Sequence, residues 1–291
     1  MDSTSPGRAV TDRNPSKLAS RGVCPEDAHR GSRQVNAIQR HAPTSAAQHG
    51  EGPWLSIILP AHNEASCIEQ VVGDFCAAAA ALARADRGVE ILVVDDASQD
   101  ATAAIVRRVA PPTGVSVRVV QRTTQGGYGR ALTTGFEAAA GTWLFFSDAD
   151  GQFEADQLPG FLNAIKEDGV DMIIGYRSPR HDPWHRRLMG RLWTAVVRNA
   201  LRVPARDVNC AFKAFRRSDV RRMRLSSDGA LINAELLHKA RRMDLTIAQR
   251  PVRHRARLSG DASGARPDVI LRALGELLRY RVRSRWTRGG S

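Results

Sequence analysis

The chain has 291 residues, 42% of them hydrophobic and 25% charged, a composition that can bury a sizeable core and excludes wholesale disorder. Its net charge of +13 is uneven: residues 1–52 hold 7 basic and 5 acidic side chains, 53–152 hold 7 and 11, and 153–291 hold 29 and 14. The C-terminal half therefore attracts polyanions, but 5% aromatics without aromatic and basic interleaving argue against nucleic acid as the partner.

Residues 1–52 are rich in Ser, Pro, Gly, Arg, His and Gln, lack an apolar period, and read as a disordered basic and polar tail. The tail has no apolar h-region of a secretory signal. The longest unbroken apolar run, Phe75–Ala83, has nine residues, against the roughly 18 to 20 of a spanning helix. These features predict a cytoplasmic protein with no span of its own. Cys24, Cys67, Cys76 and Cys210 form no CxxC pair and read as small apolar residues in a reducing compartment.

From Trp54 onward, short apolar runs alternate with amphipathic stretches: WLSIILP, about 65–84, VEILVVD, 101–109, VSVRVVQ, 128–140, TWLFFSD, 156–167 and VDMIIGY. Runs such as ILVVD and WLFFS are apolar on both faces, as in parallel strands covered by helices on both sides, so the pattern predicts a doubly wound α/β sheet. After Arg177 come a basic amphipathic helix (about 186–201), the short run NCAFKAFRR, a helix near 230–242, and TIAQRPVRH. The stretch 269–285 has the spacing of a basic amphipathic helix, read as packed on its own domain in preference to a membrane surface. The domain expectation is a tail at 1–52, one α/β domain at 53–264 and a C-terminal helix within 265–291.

In parallel α/β sheets ligands bind beyond the carboxyl ends of the strands. Those positions here hold Pro60-Ala61-His62-Asn63-Glu64, Asp95-Asp96-Ala97-Ser98, Gln125-Gly126-Gly127-Tyr128-Gly129-Arg130, and Asp148-Ala149-Asp150-Gly151-Gln152. Two carboxylates spaced as Asp148 and Asp150 share one face of an extended chain, with Ala149 leaving room between them. With Gln152 in reach, they suit Mg²⁺ or Mn²⁺ completing its shell from water and a substrate diphosphate. A competing reading takes the glycine turn and the strand ending at Asp148 as a dinucleotide-binding unit for a nicotinamide enzyme. Leu132, where a third small residue is needed, and the idle Asp150 weaken it. For the turn itself, phosphate contact and a plain tight turn both remain open.

These motifs, in this order, resemble the family 2 glycosyltransferases, most closely the dolichyl-phosphate mannosyltransferases and bacterial polyprenyl-phosphate glycosyltransferases. The likeness runs from about Leu55 to Ser263 and rests on PxxNE (Pro60, Asn63, Glu64), VDDxSxDxT (Val94–Thr102), the Gly127-Gly129-Ala131 turn, DxDxQ (Asp148, Asp150, Gln152), a DxxCGFKxFRR-like segment at 207–217 and an EVPVxHxxRxxGxS-like segment at 249–263. Ala211 replaces a glycine and Gln249 an acidic residue of the family pattern. The resemblance implies the GT-A fold, a nucleoside-diphosphate sugar donor (UDP or GDP) and a metal held by Asp148, Asp150 and Gln152. The implied donor pocket is Pro60, His62, Asn63, Glu64, Asp95, Asp96, Gly127, Arg130, Asp148 and Ala149.

The acceptor decides which further residues matter. A hydroxyl acceptor needs a carboxylate base, for which Asp228 and Glu235 are candidates, whereas a lipid phosphate is already anionic and needs cations. Arg177 follows VDMIIGY, and Arg186, Arg187 and Arg191 follow with Trp184, Leu188, Met189 and Trp193 between them. In the phosphate-acceptor branch an arginine after that strand and an Arg-rich helix start hold the acceptor, so Arg177 and Arg186 carry over, joined by Arg187. Gly190 stands where the family often has serine. The resulting expectation is transfer to a polyprenyl phosphate by a peripheral protein at the cytoplasmic face of the membrane. A soluble sugar or metabolite hydroxyl is the alternative acceptor, and a basic membrane or nucleic-acid binding module is the remote one.

Overall fold

The computed structural model describes residues 52–84, 86–180, 184–255 and 267–286. The tail expected at 1–52 lies outside the described residues except for Gly52. Seven strands form one sheet: β1 (Leu55–Ala61), β2 (Val89–Asp95), β3 (Val115–Gln121), β4 (Trp143–Phe146), β5 (Met172–Arg180), β6 (Lys213–Arg216) and β7 (Ile247–His254), in the order β3-β2-β1-β4-β6-β5-β7. The helices are α1 (Ile68–Ala80), α2 (Thr102–Val106), α3 (Tyr128–Ala138), α4 (Leu158–Asp168), α5 (Trp184–Leu201), α6 (Arg217–Met223), α7 (Ile232–Arg242) and α8 (Pro267–Trp286).

The central runs are covered on both faces: every residue of β1 and β2 is buried, while β3 alternates as an edge strand should. β1, β2, β3 and β4 are mutually parallel, so the residues after them collect on one rim. Pro60 is tolerated in this central strand because the β4 ladder reaches only Ile58, beyond which no partner needs its missing N–H on that side.

The sheet is mixed in one place. β6 runs antiparallel between β4 and β5, with Phe146 opposite Lys213 and Ile174 opposite Lys213. That reversal brings the start of β6 to the end of β4, which sets Lys213 at the functional rim. Beneath it, Phe212 packs edge-on against Phe145 (4.6 Å between centroids) and Phe161 (4.8 Å).

α3 lies close on the sheet because Gly135 has no side chain: a Cβ there would stand 2.4 Å from an Ile58 methyl. The small residue that permits this approach is Gly135 and not position 132, where Leu132 is itself buried. α8 contacts α5, and its Tyr280 hydroxyl pairs with His238 Nδ1 of α7 at 2.9 Å. The C-terminal helix thus packs on its own domain.

Candidate active site

The loops after β1 and β2 are stitched together before any ligand arrives. The Asn63 amide donates to Ser98 Oγ (3.0 Å), Gln99 N donates to Asn63 Oδ1 (2.9 Å), Glu64 N to Thr102 Oγ1 (2.9 Å) and Ala65 N to Asp100 Oδ2 (3.0 Å). Asn63 and Ala97 both have positive φ (56° and 58°), a conformation costing an alanine about 1–2 kcal/mol. His62 Nδ1 lies 2.9 Å from the Asp96 carbonyl, while Nε2 faces the amide nitrogens of Gln125 (3.1 Å) and Asn63 (3.2 Å). One arrangement satisfies all three contacts: Nδ1–H donates and Nε2 accepts.

The structure gives Asp95, Asp96 and Gly127 more specific roles than rim position alone suggests. Asp95 Oδ1 accepts from Ser98 N (3.0 Å) and Oδ2 from Gln121 Nε2 (3.2 Å). Asp96 accepts from Arg122 Nε (2.7 Å), Gly126 N (3.0 Å) and Gly127 N (2.8 Å). Gly127 has φ +87°, which is why glycine is needed there. At the start of α3, Gly129 N and Arg130 N donate to the Asp228 carbonyl (2.8 and 3.3 Å), and a Cβ on Gly129 would sit 2.2 Å from Ser227 O. The N–H groups of Gly126, Gly127, Gly129 and Arg130 are thus engaged inside the protein. The turn is clasped by Asp96, which weighs against a dinucleotide pyrophosphate seated on the amides of Gly126 and Gly127.

At the end of β4, Ala149 is buried and its carbonyl lies 3.6 Å from Cys67 Sγ. Asp150 Oδ1 accepts from Gln152 N (3.1 Å), and Gly151 makes the turn at φ 73°. Burial and the neighbouring Asp150 carboxylate push the Asp148 carboxyl well above its usual range, with Tyr128, Arg177 and Lys213 acting against the shift. The Tyr128 hydroxyl is buried next to Asp148 and Asn233, without a hydrogen bond of ordinary length. Lys213 is fully buried; its ammonium donates to the carbonyls of Val208 (3.1 Å) and Cys210 and to Asn233 Oδ1 (2.7 Å), and burial lowers its pKa to about 8.

Gln152, the third expected ligand, stands on the same loop. Its Nε2 donates to the Arg255 carbonyl (3.2 Å) and its own carbonyl accepts Arg255 N (2.7 Å), so it staples this loop to the end of β7. Arg177 is likewise engaged, with Nε and a terminal nitrogen forking onto Asp207 (2.7 and 3.0 Å). Arg130 forks onto Asp228 (2.8 and 3.1 Å), both half-exposed. Glu235 is fully buried and accepts from Ser226 N, Ser226 Oγ, Ser227 N and Lys239, which anchors the loop that caps α3. Arg187 is exposed in the first turn of α5; the Arg186 backbone lies beside it, its side chain outside the described residues.

Residues 56–224 match the sequence model of glycosyl transferase family 2. The chain belongs to that family. Its curated relatives include an undecaprenyl-phosphate 4-deoxy-4-formamido-L-arabinose transferase of Edwardsiella ictaluri, 26% identical over 72% of this chain and 62% of that protein. A polyprenol monophosphomannose synthase of Mycolicibacterium smegmatis is 28% identical over 67% of this chain and 75% of that protein. The chain thus spans less than two-thirds of the arabinose transferase's length. Among solved structures, glucosyl-3-phosphoglycerate synthase from Mycobacterium tuberculosis in complex with UDP superposes with a TM-score of 0.61 at 21% identity, covering 79% of this chain and 80% of that one. The fold is therefore GT-A.

In this glycosyltransferase the donor set at the rim fits a hard divalent cation. Burial first and the neighbouring Asp150 carboxylate second hold the Asp148 pKa above its ordinary value, a cost that a bound cation would relieve. Among the described residues no third His, Cys, Asp or Glu joins them, so the remaining positions of a metal shell would fall to the Gln152 amide oxygen, water and a diphosphate. Lys213, Tyr128, Asn233, Asp207 and Arg122 receive no role of their own from the sequence. Lys213 carries a visible signal, a lone charge in the apolar run CAFKAF; the other four are recognisable only through partners distant in the chain.

Proposed function

We propose that this glycosyltransferase moves a sugar from a nucleoside-diphosphate sugar to a polyprenyl phosphate, with inversion, using a divalent ion held by Asp148, Asp150 and Gln152. When bound, that ion would neutralise charge on the departing nucleoside diphosphate. The stitched loops after β1 and β2, with the Asp96 clasp, keep the donor pocket in shape, so little ordering remains to be done on binding. Arg177, its guanidinium plane set by Asp207, stands as an oriented cation near Asp148. The acceptor's phosphate oxygen attacks the anomeric carbon opposite the diphosphate; the new C–O bond forms as the bond to the diphosphate oxygen breaks.

The observation that carries the choice of acceptor is that both candidate bases are already committed. Glu235 is buried under four donors and Asp228 is forked by Arg130. An acceptor that arrives anionic needs no proton removed. The arabinose transferase and mannose synthase relatives, both named for polyprenyl-phosphate chemistry, support the same reading. A glucosyl-3-phosphoglycerate synthase structure of TM-score 0.60, solved in complex with Mn²⁺ and UDP-glucose, supports the metal and the donor class.

The test pairs metal and base. EDTA treatment and Asp150→Ala should each reduce turnover by at least about a thousandfold without unfolding the protein, whereas Asp228→Asn should leave it within about tenfold. Full activity in EDTA would contradict the metal. A thousandfold loss in folded Asp228→Asn would point to a hydroxyl acceptor with Asp228 as base.

A further inference from the structure

Lys213 is the single charge in the apolar run CAFKAF, and it is fully buried. Its ammonium stands over the Phe146 ring, 5.4 Å from the centroid, and donates to Asn233 Oδ1 at 2.7 Å and to the carbonyls of Val208 and Cys210. Asn233, on α7, is 3% exposed. Beyond it, at the first residue of α3, the Tyr128 hydroxyl is buried beside Asn233 and Asp148. Strand β6, α7 and α3 thus converge next to one carboxylate of the metal pair, and the proposed reaction gives none of Lys213, Asn233 and Tyr128 a task. A hydroxyl buried among polar groups is costly to leave unpaired.

The protons of this group can run in only one direction. An ammonium has donors and no acceptor, so the Asn233 atom that meets Lys213 is the amide oxygen. That leaves the Asn233 amide nitrogen as a donor toward Tyr128. A phenol that accepts from an amide keeps one proton to give, and a carboxylate takes it. The order is therefore Lys213 to Asn233 to Tyr128 to Asp148, each step set by the one before it. Lys213 also starts a second branch: its bonds to Val208 and Cys210 hold the segment that follows Asp207, the partner of Arg177.

We propose that Tyr128 is a positioning residue for the metal site: through the chain from Lys213 and Asn233, its hydroxyl takes one carboxylate oxygen of Asp148 and turns the other toward the divalent ion. The inference deepens the proposed function and rests on its reading of Asp148 as a metal ligand. A hydrogen bond to a ligating carboxylate fixes the carboxylate's orientation, and losing such a partner costs about 10- to 100-fold in metal affinity.

The full chain is tested with Mn²⁺ in the presence of UDP and of GDP, free Mn²⁺ being read by electron paramagnetic resonance. The parent should bind the ion and Asp150→Ala should not. Tyr128→Phe removes only the hydroxyl; it should keep the parental melting temperature and weaken Mn²⁺ binding at least about tenfold. Turnover should recover at saturating Mn²⁺, so that the loss appears in the Mn²⁺ concentration for half-maximal rate and not in kcat, a split that a merely structural role would not produce. Asn233→Leu should weaken Mn²⁺ binding too, and adding it to Tyr128→Phe should cost less than about twofold more, because the two act in series. Parental Mn²⁺ affinity in folded Tyr128→Phe overturns the proposal, as does an Asn233→Leu loss that multiplies in full on top of the Tyr128→Phe loss. Binding lost in Asp150→Ala but untouched in Tyr128→Phe would sink the positioning role alone. A parent that binds Mn²⁺ with neither nucleotide would sink the metal reading itself, and this role with it.

Discussion

Arg177 and Asp207 form a two-pronged ion pair, 2.7 Å from Nε to Oδ2 and 3.0 Å from a terminal nitrogen to Oδ1, whose side chains are only 13% and 10% exposed. The pair joins the end of β5 to the segment leading into β6 and holds a cation near Asp148. A buried pair stripped of one member leaves an uncompensated charge. Asp207→Ala should therefore destabilise the protein by about 3–5 kcal/mol. At a temperature where the variant remains folded, the acceptor KM should rise more than the donor KM. Chemical denaturation and steady-state kinetics with each substrate varied in turn check both parts.

Asp96 offers a second test because three donors converge on it from the β3–α3 connection. Asp96→Ala leaves Gly126 N, Gly127 N and Arg122 without their acceptor. Hydrogen bonds to a charged group are worth about 1.5–3 kcal/mol each before relaxation. The variant should lose at least about tenfold in UDP or GDP affinity, read by calorimetric titration, and Asp96→Asn should recover part of it.

Glu235 predicts an acid-sensitive fold. Burial would raise its pKa, but Lys239, Ser227 and Ser226 outweigh that and hold it below the ordinary 4.5. A carboxyl with a lowered folded pKa contributes stability that is complete above the unfolded value and is lost as pH falls through the folded one. Urea unfolding of the parent should thus weaken below about pH 4.5. Glu235→Gln should be less stable than the parent at pH 7, and the gap should narrow in acid. A constant gap from pH 7 to pH 3 would contradict this role.

Gly129 is a steric prediction. Its missing side chain admits the Ser227 and Asp228 backbone, which caps α3. Gly129→Ala should displace that loop and lower both melting temperature and donor binding, whereas Gly73→Ala, in open space on α1, should do neither. Thermal unfolding of the two variants side by side makes the comparison.

The strands and the rim are legible in the sequence because each is local: VEILVVD is buried at every position, and the four polar segments follow directly from parallel strand direction. The antiparallel β6 is not, since a four-residue run does not state its direction; that is settled by pairing with β4 and β5. Asp95, Asp96 and Gln152 stand at the rim as their spacing suggests, but their partners sit up to 103 residues away in the chain, so clasp and staple roles cannot be read from spacing. The short α6 has too few residues for a period to show.

The most direct test of transfer to a lipid phosphate is a donor and acceptor matrix. Radiolabelled UDP-glucose, UDP-N-acetylglucosamine and GDP-mannose would each be offered undecaprenyl phosphate or soluble sugars. Label should enter the organic phase only with the lipid phosphate and a divalent ion, and should be lost in Asp150→Ala. Label carried instead by a sugar hydroxyl, with none on the lipid for any donor, would contradict the assignment.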